Sequence, residues 1–214
     1  MIATLAWGFA AASLSAAAAI VAWTLSVQPR RAREAGRRSL SAVSAAVEAR
    51  TGREGDTAAI LVLVGSVAAK MNLAAEERLN LEMSAHLCDI GMTAVPYAFL
   101  NGKPVSKPGA GKDAAFGHAE EGAGMIERVE ELRPLTQIVR CHHAPFEGHD
   151  GTGLPTAEDI PVEARILCAV SAYVETVRLN GRLLAVDALK WGNRREFCPV
   201  VVDALLGVLR SDRD

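Results

Sequence analysis

The chain has 214 residues, enough for one ordinary domain and an appendage but hardly for two full domains. Half of the residues are hydrophobic and only 5% are aromatic, a mix that suits packed helices better than a β-sandwich. A formal net charge of −2 excludes a nucleic-acid footprint over the whole chain, and no nucleic-acid polymer is expected as a partner.

Met1 to Gln28 carries no charged residue, and Ile2 to Val27 is almost wholly apolar. About 20 apolar residues in a helix are enough to cross the hydrocarbon core of a bilayer. Trp7 and Trp23 stand near either end of the run, where indole rings favour the interface. Arg30, Arg31, Arg33, Arg37 and Arg38 follow directly. Basic residues flanking a span are held on the cytoplasmic side, and anionic lipid headgroups favour them there. A cleaved signal peptide carries its positive charge before the apolar run, whereas here it comes after. The expectation is therefore a transmembrane helix over residues 1–28 and a basic juxtamembrane linker over 29–55, followed by a helical domain over 56–214. The lipid bilayer is then a partner: the protein is single-pass in the cell inner membrane, its N-terminus outside and its C-terminal domain cytoplasmic. Ala and Gly in the apolar run permit close helix approach but form no clean G-x-x-x-G, which leaves a homodimer open.

Ser39 to Arg50 is rich in small residues and reads either as a continuing helix or as a linker, broken at Thr51-Gly-Arg-Glu-Gly55. Helices are then predicted over Ala58–Met71 and Ala74–Ile90, with Gly91 ending the second. Asn101 to Gly111 holds Gly, Pro and Lys and reads as loop. Further helices are predicted over Asp113–Leu132, Leu135–Cys141, Val162–Leu179, Val186–Trp191 and Pro199–Arg210, with Ala144–Glu158 too irregular for one. Ile166, Leu167, Val201 and Leu205 read as core. No run alternates long enough to demand a sheet, so the fold class is all-α. Cys88, Cys141, Cys168 and Cys198 form no C-x-x-C pair and read as free thiols in a reducing compartment.

Three polar clusters interrupt the apolar helices: Cys88-Asp89, His118, and His142-His143 with the Asp150-Gly151-Thr-Gly153 stretch beyond. Carboxylates and imidazoles from different helices can converge on a metal inside a bundle. Mixed His/Asp sets suit Fe, Mn or Zn, and such a metal can polarise a phosphoryl oxygen and supply hydroxide. Cys88 reads either as a thiolate ligand or as a buried thiol. His118 taken alone reads as an ordinary half-buried His. His86, one turn before Asp89, reads as packing or surface, and His149 as a loop His or a replacement ligand. Adjacent helical residues point some 100° apart, which argues against His142 and His143 sharing one ion. Gly151 and Gly153 read as turn glycines shaping a rim.

Read in order, the chain offers Cys88-Asp-Ile-Gly-Met92, Val95-Pro96, Leu100-Asn-Gly-Lys-Pro104 and His118-Ala-Glu-Glu-Gly122. It continues with Cys141-His-His-Ala144, Asp150-Gly-Thr-Gly-Leu-Pro155, Ile160-Pro-Val-Glu-Ala-Arg-Ile-Leu167, Ser171-Ala-Tyr-Val-Glu175 and Phe197-Cys-Pro-Val-Val-Val202. This unbroken series, from about Asp56 to Leu209, resembles the HD-GYP domains, metal-dependent phosphohydrolases of the cyclic di-GMP phosphodiesterase type. The resemblance implies an HD-domain helical bundle, with Asp89, His118, His142 and His143 at metal-ligand positions and Cys88 at that of the HD histidine. It also implies Asp89 as the catalytic carboxylate, and Asp150, Gly151 and Gly153 at substrate-binding positions.

The departures point the other way. No His lies between Gly55 and Lys70, where the family has a helix-borne ligand; Ser171 stands for a late Asp, Met92 for a phosphate-facing Lys, Leu154 for the signature Tyr, and Ala144 for a Glu. The expected centre is therefore incomplete, holding a divalent metal (Fe, Mn or Zn) without the full multinuclear set. A degenerate, catalytically impaired domain that binds cyclic di-GMP or a signalling protein is the leading expectation, and an active phosphodiesterase the alternative.

Overall fold

The apolar periodicities fold as helices, with an isolated bridge between Asn193 and Phe197 as the sole β pairing among the described residues. The structure, a computed structural model, describes residues 2–96, 100, 110–148 and 153–211, with only some side chains in the first half of α1 and at the start of α4. The helices are α1 (Ile2–Thr51), α2 (Asp56–Lys70), α3 (Ala75–Leu87), α4 (Ala110–Glu127), α5 (Thr136–Arg140), α6 (Val162–Asn180), α7 (Arg182–Gly192) and α8 (Pro199–Ser211). Short 3-10 turns cover Ile90–Thr93, Glu130–Leu135 and Ala157–Asp159.

Two compact units meet between Ser41 and Ala42. The first is the leading part of α1, on which the expected span over residues 1–28 falls; most of the side chains there lie outside the described residues. Among the described residues no helix is long and apolar enough to cross a membrane. Of the two readings for Ser39–Arg50, the continuous helix is the one found.

The second unit is the all-α bundle. α2 lies against α3, α6 and α8, while α4 lies against α5 and the Ile90–Thr93 turn. Val64 and Val67 of α2, Leu81 of α3, Ile166 and Leu167 of α6, and Val201 and Leu205 of α8 are buried together in the core. Burying one such side chain contributes roughly 1.5–3 kcal/mol, so this apolar set, not polar contacts, carries the fold.

Polar groups then set the joints that position the site. Thr51 donates back to the Val47 carbonyl at 3.0 Å, and the Glu48 carboxylate accepts from the backbone N–H groups of Gly55 and Thr57 at the start of α2. Those amides have no intrahelical partner, so an acidic cap there is favourable. Arg50 donates to the carbonyls of Met92, at 3.4 Å, and Val95, at 2.7 Å. His86 is buried, its Nδ1 3.2 Å from Ser44 Oγ. α3 stops at Leu87, earlier than its periodicity suggests. Gly91 is not its cap: a Cβ there would strike the His118 carbonyl, and the Gly122 amide lies 2.6 Å away. Only glycine lets the chain after Asp89 lie flat on α4.

Candidate metal centre

That close approach places Asp89, two residues beyond α3 and just before the Ile90–Thr93 turn, beside His118 on α4. His118 Nε2 lies 3.2 Å from Asp89 Oδ1 and 3.3 Å from His142 Nε2. One donor atom from each of Asp89, His118, His142 and His143 falls within 4.8 Å of all the others. The His142 and His143 rings are 4.0 Å apart, against the divergence expected of helical neighbours. The reason is local: α5 ends at Arg140, Cys141 leaves helical geometry at φ −100° and ψ 4°, and the two histidines sit in the turn beyond.

Second contacts orient the rings. His142 Nδ1 lies 2.6 Å from the Val139 carbonyl, which can only accept, so Nδ1 carries the proton. In the neutral ring, Nε2 then presents a bare lone pair to the cluster, the arrangement usual for a metal-ligating histidine. His118 and His142 are both almost fully buried. Burial first, and then His118, drive His142 down to about 4 against the pull of Asp89. His143 is depressed well below the ordinary imidazole value by burial and then by His142 and His118. Burial alone would raise Asp89, but the hydrogen bond from His118, the His142 and His118 imidazoles and the Arg53 guanidinium together hold it well below the carboxylate range. Near neutral pH the cluster thus offers one carboxylate and at least two uncharged imidazoles.

Such a donor set fits a divalent first-row ion. Nitrogens bound tetrahedrally at ~2.0–2.1 Å lie about 3.4 Å apart, close to the separation of the two Nε2 atoms. His118 Nδ1 is buried without a hydrogen-bond partner among the described residues, so the ring is held by what its Nε2 meets. Four donors suffice for one ion and fall short of what a pair of ions needs.

Cys88 is not among the converging donors. Its Sγ turns back to the Ala85 carbonyl at 3.7 Å, and burial, then the Asp89 charge, push its thiol up so that it stays protonated. It is a buried thiol, the second of its two sequence readings.

Asp89, His142 and His143 line one wall of a cavity of about 550 Å³, while His118 is buried and does not line it. The facing wall comes from the α1–α2 loop and α6, with Arg53, Cys168, Ser171 and Glu175, and the rim from Glu147, Gly148 and Arg195. Arg53 bridges the walls: Nη1 is 3.7 Å from Asp89 Oδ2 and Nη2 is 3.3 Å from Glu175 Oε1. Ser171 Oγ, at the position expected to carry an Asp, is buried and unpartnered among the described residues. The rim is tied down by Phe146 N–H to the Glu196 carbonyl at 3.1 Å and Glu147 N–H to the Arg195 carbonyl at 2.8 Å. Gly148 turns it at φ 93°, where a side chain would also meet Thr156. Of the expected substrate-binding residues, Asp150 and Gly151 lie outside the described residues, as does His149, and Gly153 (φ 67°) is exposed and does not line the cavity.

Sequence reading missed Arg53, Glu175 and Arg195 as site residues. Arg53 had one signal, a charged residue between two glycines in a helix break, and that pattern alone is common on surfaces.

Comparison with known proteins agrees with this geometry. The HD domain family profile matches residues 32–190. The chain is 32% identical over 193 residues to the cyclic di-GMP phosphodiesterase response regulator RpfG of Xanthomonas campestris pv. campestris (strain 8004). That alignment takes in 81% of this chain and 48% of the relative, so the chain spans about half of that protein's length.

Proposed function

The chain belongs to the HD domain family, and from that premise we propose that it is a degenerate HD-GYP-type domain, tethered to the inner membrane and facing the cytoplasm. It holds one divalent ion and binds a cyclic dinucleotide or a related phosphoester as a signal instead of turning it over. Kinship with a cyclic di-GMP phosphodiesterase supports that ligand class. The apolar run followed by five arginines supports the tether.

The observation that carries the reading is the asymmetry of the cavity. One wall presents Asp89, His142 and His143, with the fourth donor His118 buried beside them, while the other presents Arg53, Ser171 and Glu175 and adds no imidazole among the described residues. A divalent ion held by the four donors supplies charge to a phosphoryl oxygen and lowers the pKa of water. The chain's own residues hold the ion and line the cavity, whereas transition-state stabilisation suffers because Met92 stands where the family has a phosphate-facing Lys. Losing one such donor costs about 10²–10³ in rate in enzymes that depend on it.

A second reading, a working one-ion phosphohydrolase, is favoured by the convergence of the donors on an open cavity. Full-length protein purified in detergent, assayed for bound metal and for cleavage of cyclic di-GMP with Mn2+ or Fe2+, separates the two. One bound ion with dinucleotide binding and no cleavage is the expected result. Turnover accompanying stoichiometric metal would establish the enzyme instead.

A further inference from the structure

Asp89 uses its two oxygens differently. Oδ1 faces His118 and the imidazole cluster, and Oδ2 faces the Arg53 guanidinium. A carboxylate that bridges two cations is disposed in this way, with one on each oxygen. Building on the one-ion centre above, we propose that Arg53 is a positioning residue that stands as a fixed cation on the outer oxygen of Asp89. It takes the place of a second ion and weakens the hold of the cluster on the first.

Three observations carry this. The backbone of Arg53 already secures its loop: its N–H donates to the Glu48 carbonyl at 3.1 Å, and its own carbonyl accepts from Asp56 N–H at 3.1 Å. The side chain is therefore not needed to hold the turn, in contrast to Arg50, whose guanidinium fastens the Met92 and Val95 carbonyls. The guanidinium spans the gap between the two walls, pairing with Asp89 on one side and Glu175 on the other. Finally, an arginine stays charged at any working pH, so unlike a bound ion it cannot leave. Its charge draws on the carboxylate that the first ion shares, and Glu175 offsets part of that draw.

The consequence has an unusual sign: truncating a residue beside the centre strengthens metal binding. Titration calorimetry of the full-length protein in detergent with Mn2+ at neutral pH tests it. Arg53→Met is expected to bind Mn2+ about tenfold tighter or more, because a unit charge a few ångströms from the ion is removed. Arg53→Lys keeps the charge and stays close to wild type, and Glu175→Gln leaves Arg53 unneutralised and binds more weakly. A side chain that served only to hold the loop would lower affinity in Arg53→Met, and an equal or lower affinity there overturns the proposal. If Arg53→Met does not fold, Arg53→Gln carries the same expectation, and unchanged or tighter binding by Glu175→Gln counts against it. Absence of Mn2+ binding in wild type and every variant would instead remove the metal centre itself.

Discussion

The two walls of the cavity are built on opposite principles. On one, His142 is almost fully buried beside the equally buried His118, with Asp89 as the neighbouring charge, and is held by packing and by one backbone carbonyl. On the other, Arg53, Glu175 and Asp56 line the cavity and are joined in a chain of ion pairs through Arg178, which does not line it and lies 3.1 Å from Asp56 and 3.9 Å from Glu175. The dry wall keeps the His142 and His143 rings neutral and therefore able to coordinate; the wet wall satisfies its charges internally. Burial in the first makes every group there costly to alter, whereas solvent screening in the second makes its pairs individually cheap.

The sharpest way to break this contrast is on the dry wall. Replacing His142 by Ala is expected to weaken divalent-metal binding at least about 100-fold, since loss of even an outer-shell partner costs 10–100-fold elsewhere. Calorimetric titration or metal analysis after dialysis reads this directly. Next in size is Gly91→Ala, whose new methyl group collides with the His118 carbonyl and the Gly122 amide. It should destabilise the fold by about 3 kcal/mol and displace Asp89 from His118, as urea unfolding and metal affinity together would show.

The same wall predicts an acid dependence. His142 has a folded pKa of about 4, and His143 is also depressed, so between pH 6.5 and 4 the unfolded chain binds more protons than the folded one. The stabilising contribution is complete above pH 6.5 and is lost as pH falls toward 4. The slope is about 1.4 kcal/mol per pH unit for each imidazole that must take up a proton. Metal-free protein unfolded by urea at several pH values would reveal it, and a flat profile would mean that the rings are solvated. The smallest effect belongs to the wet wall: Arg178→Ala should change stability by no more than about 1 kcal/mol and leave metal affinity near wild type.

Much of the bundle was legible in the chain because helical periodicity and glycine breaks are local signals. The helices predicted over Val162–Leu179 and Pro199–Arg210 match α6 and α8 to within one residue at each end. Ile166, Leu167, Val201 and Leu205 are buried as read. Asp89, His118, His142 and His143 could be named because each lies in a recognisable motif. Their convergence could not be derived locally, and the helical-turn argument even spoke against the last two. Cys88 belonged to the same motif, yet its side chain turns away.

By itself, the sequence determined an all-α domain, its apolar core, and which imidazoles and which carboxylate were available for a metal. Tertiary structure alone decided that His142 and His143, in the turn beyond α5, face one point with Asp89 and His118, and that Gly91 serves close packing. It alone brought Arg53 to Asp89 across 36 residues of chain and set Glu175 behind it. Periodicity is written in neighbours a turn apart, whereas a charge network between loop and helix depends on distances that only the packed chain defines.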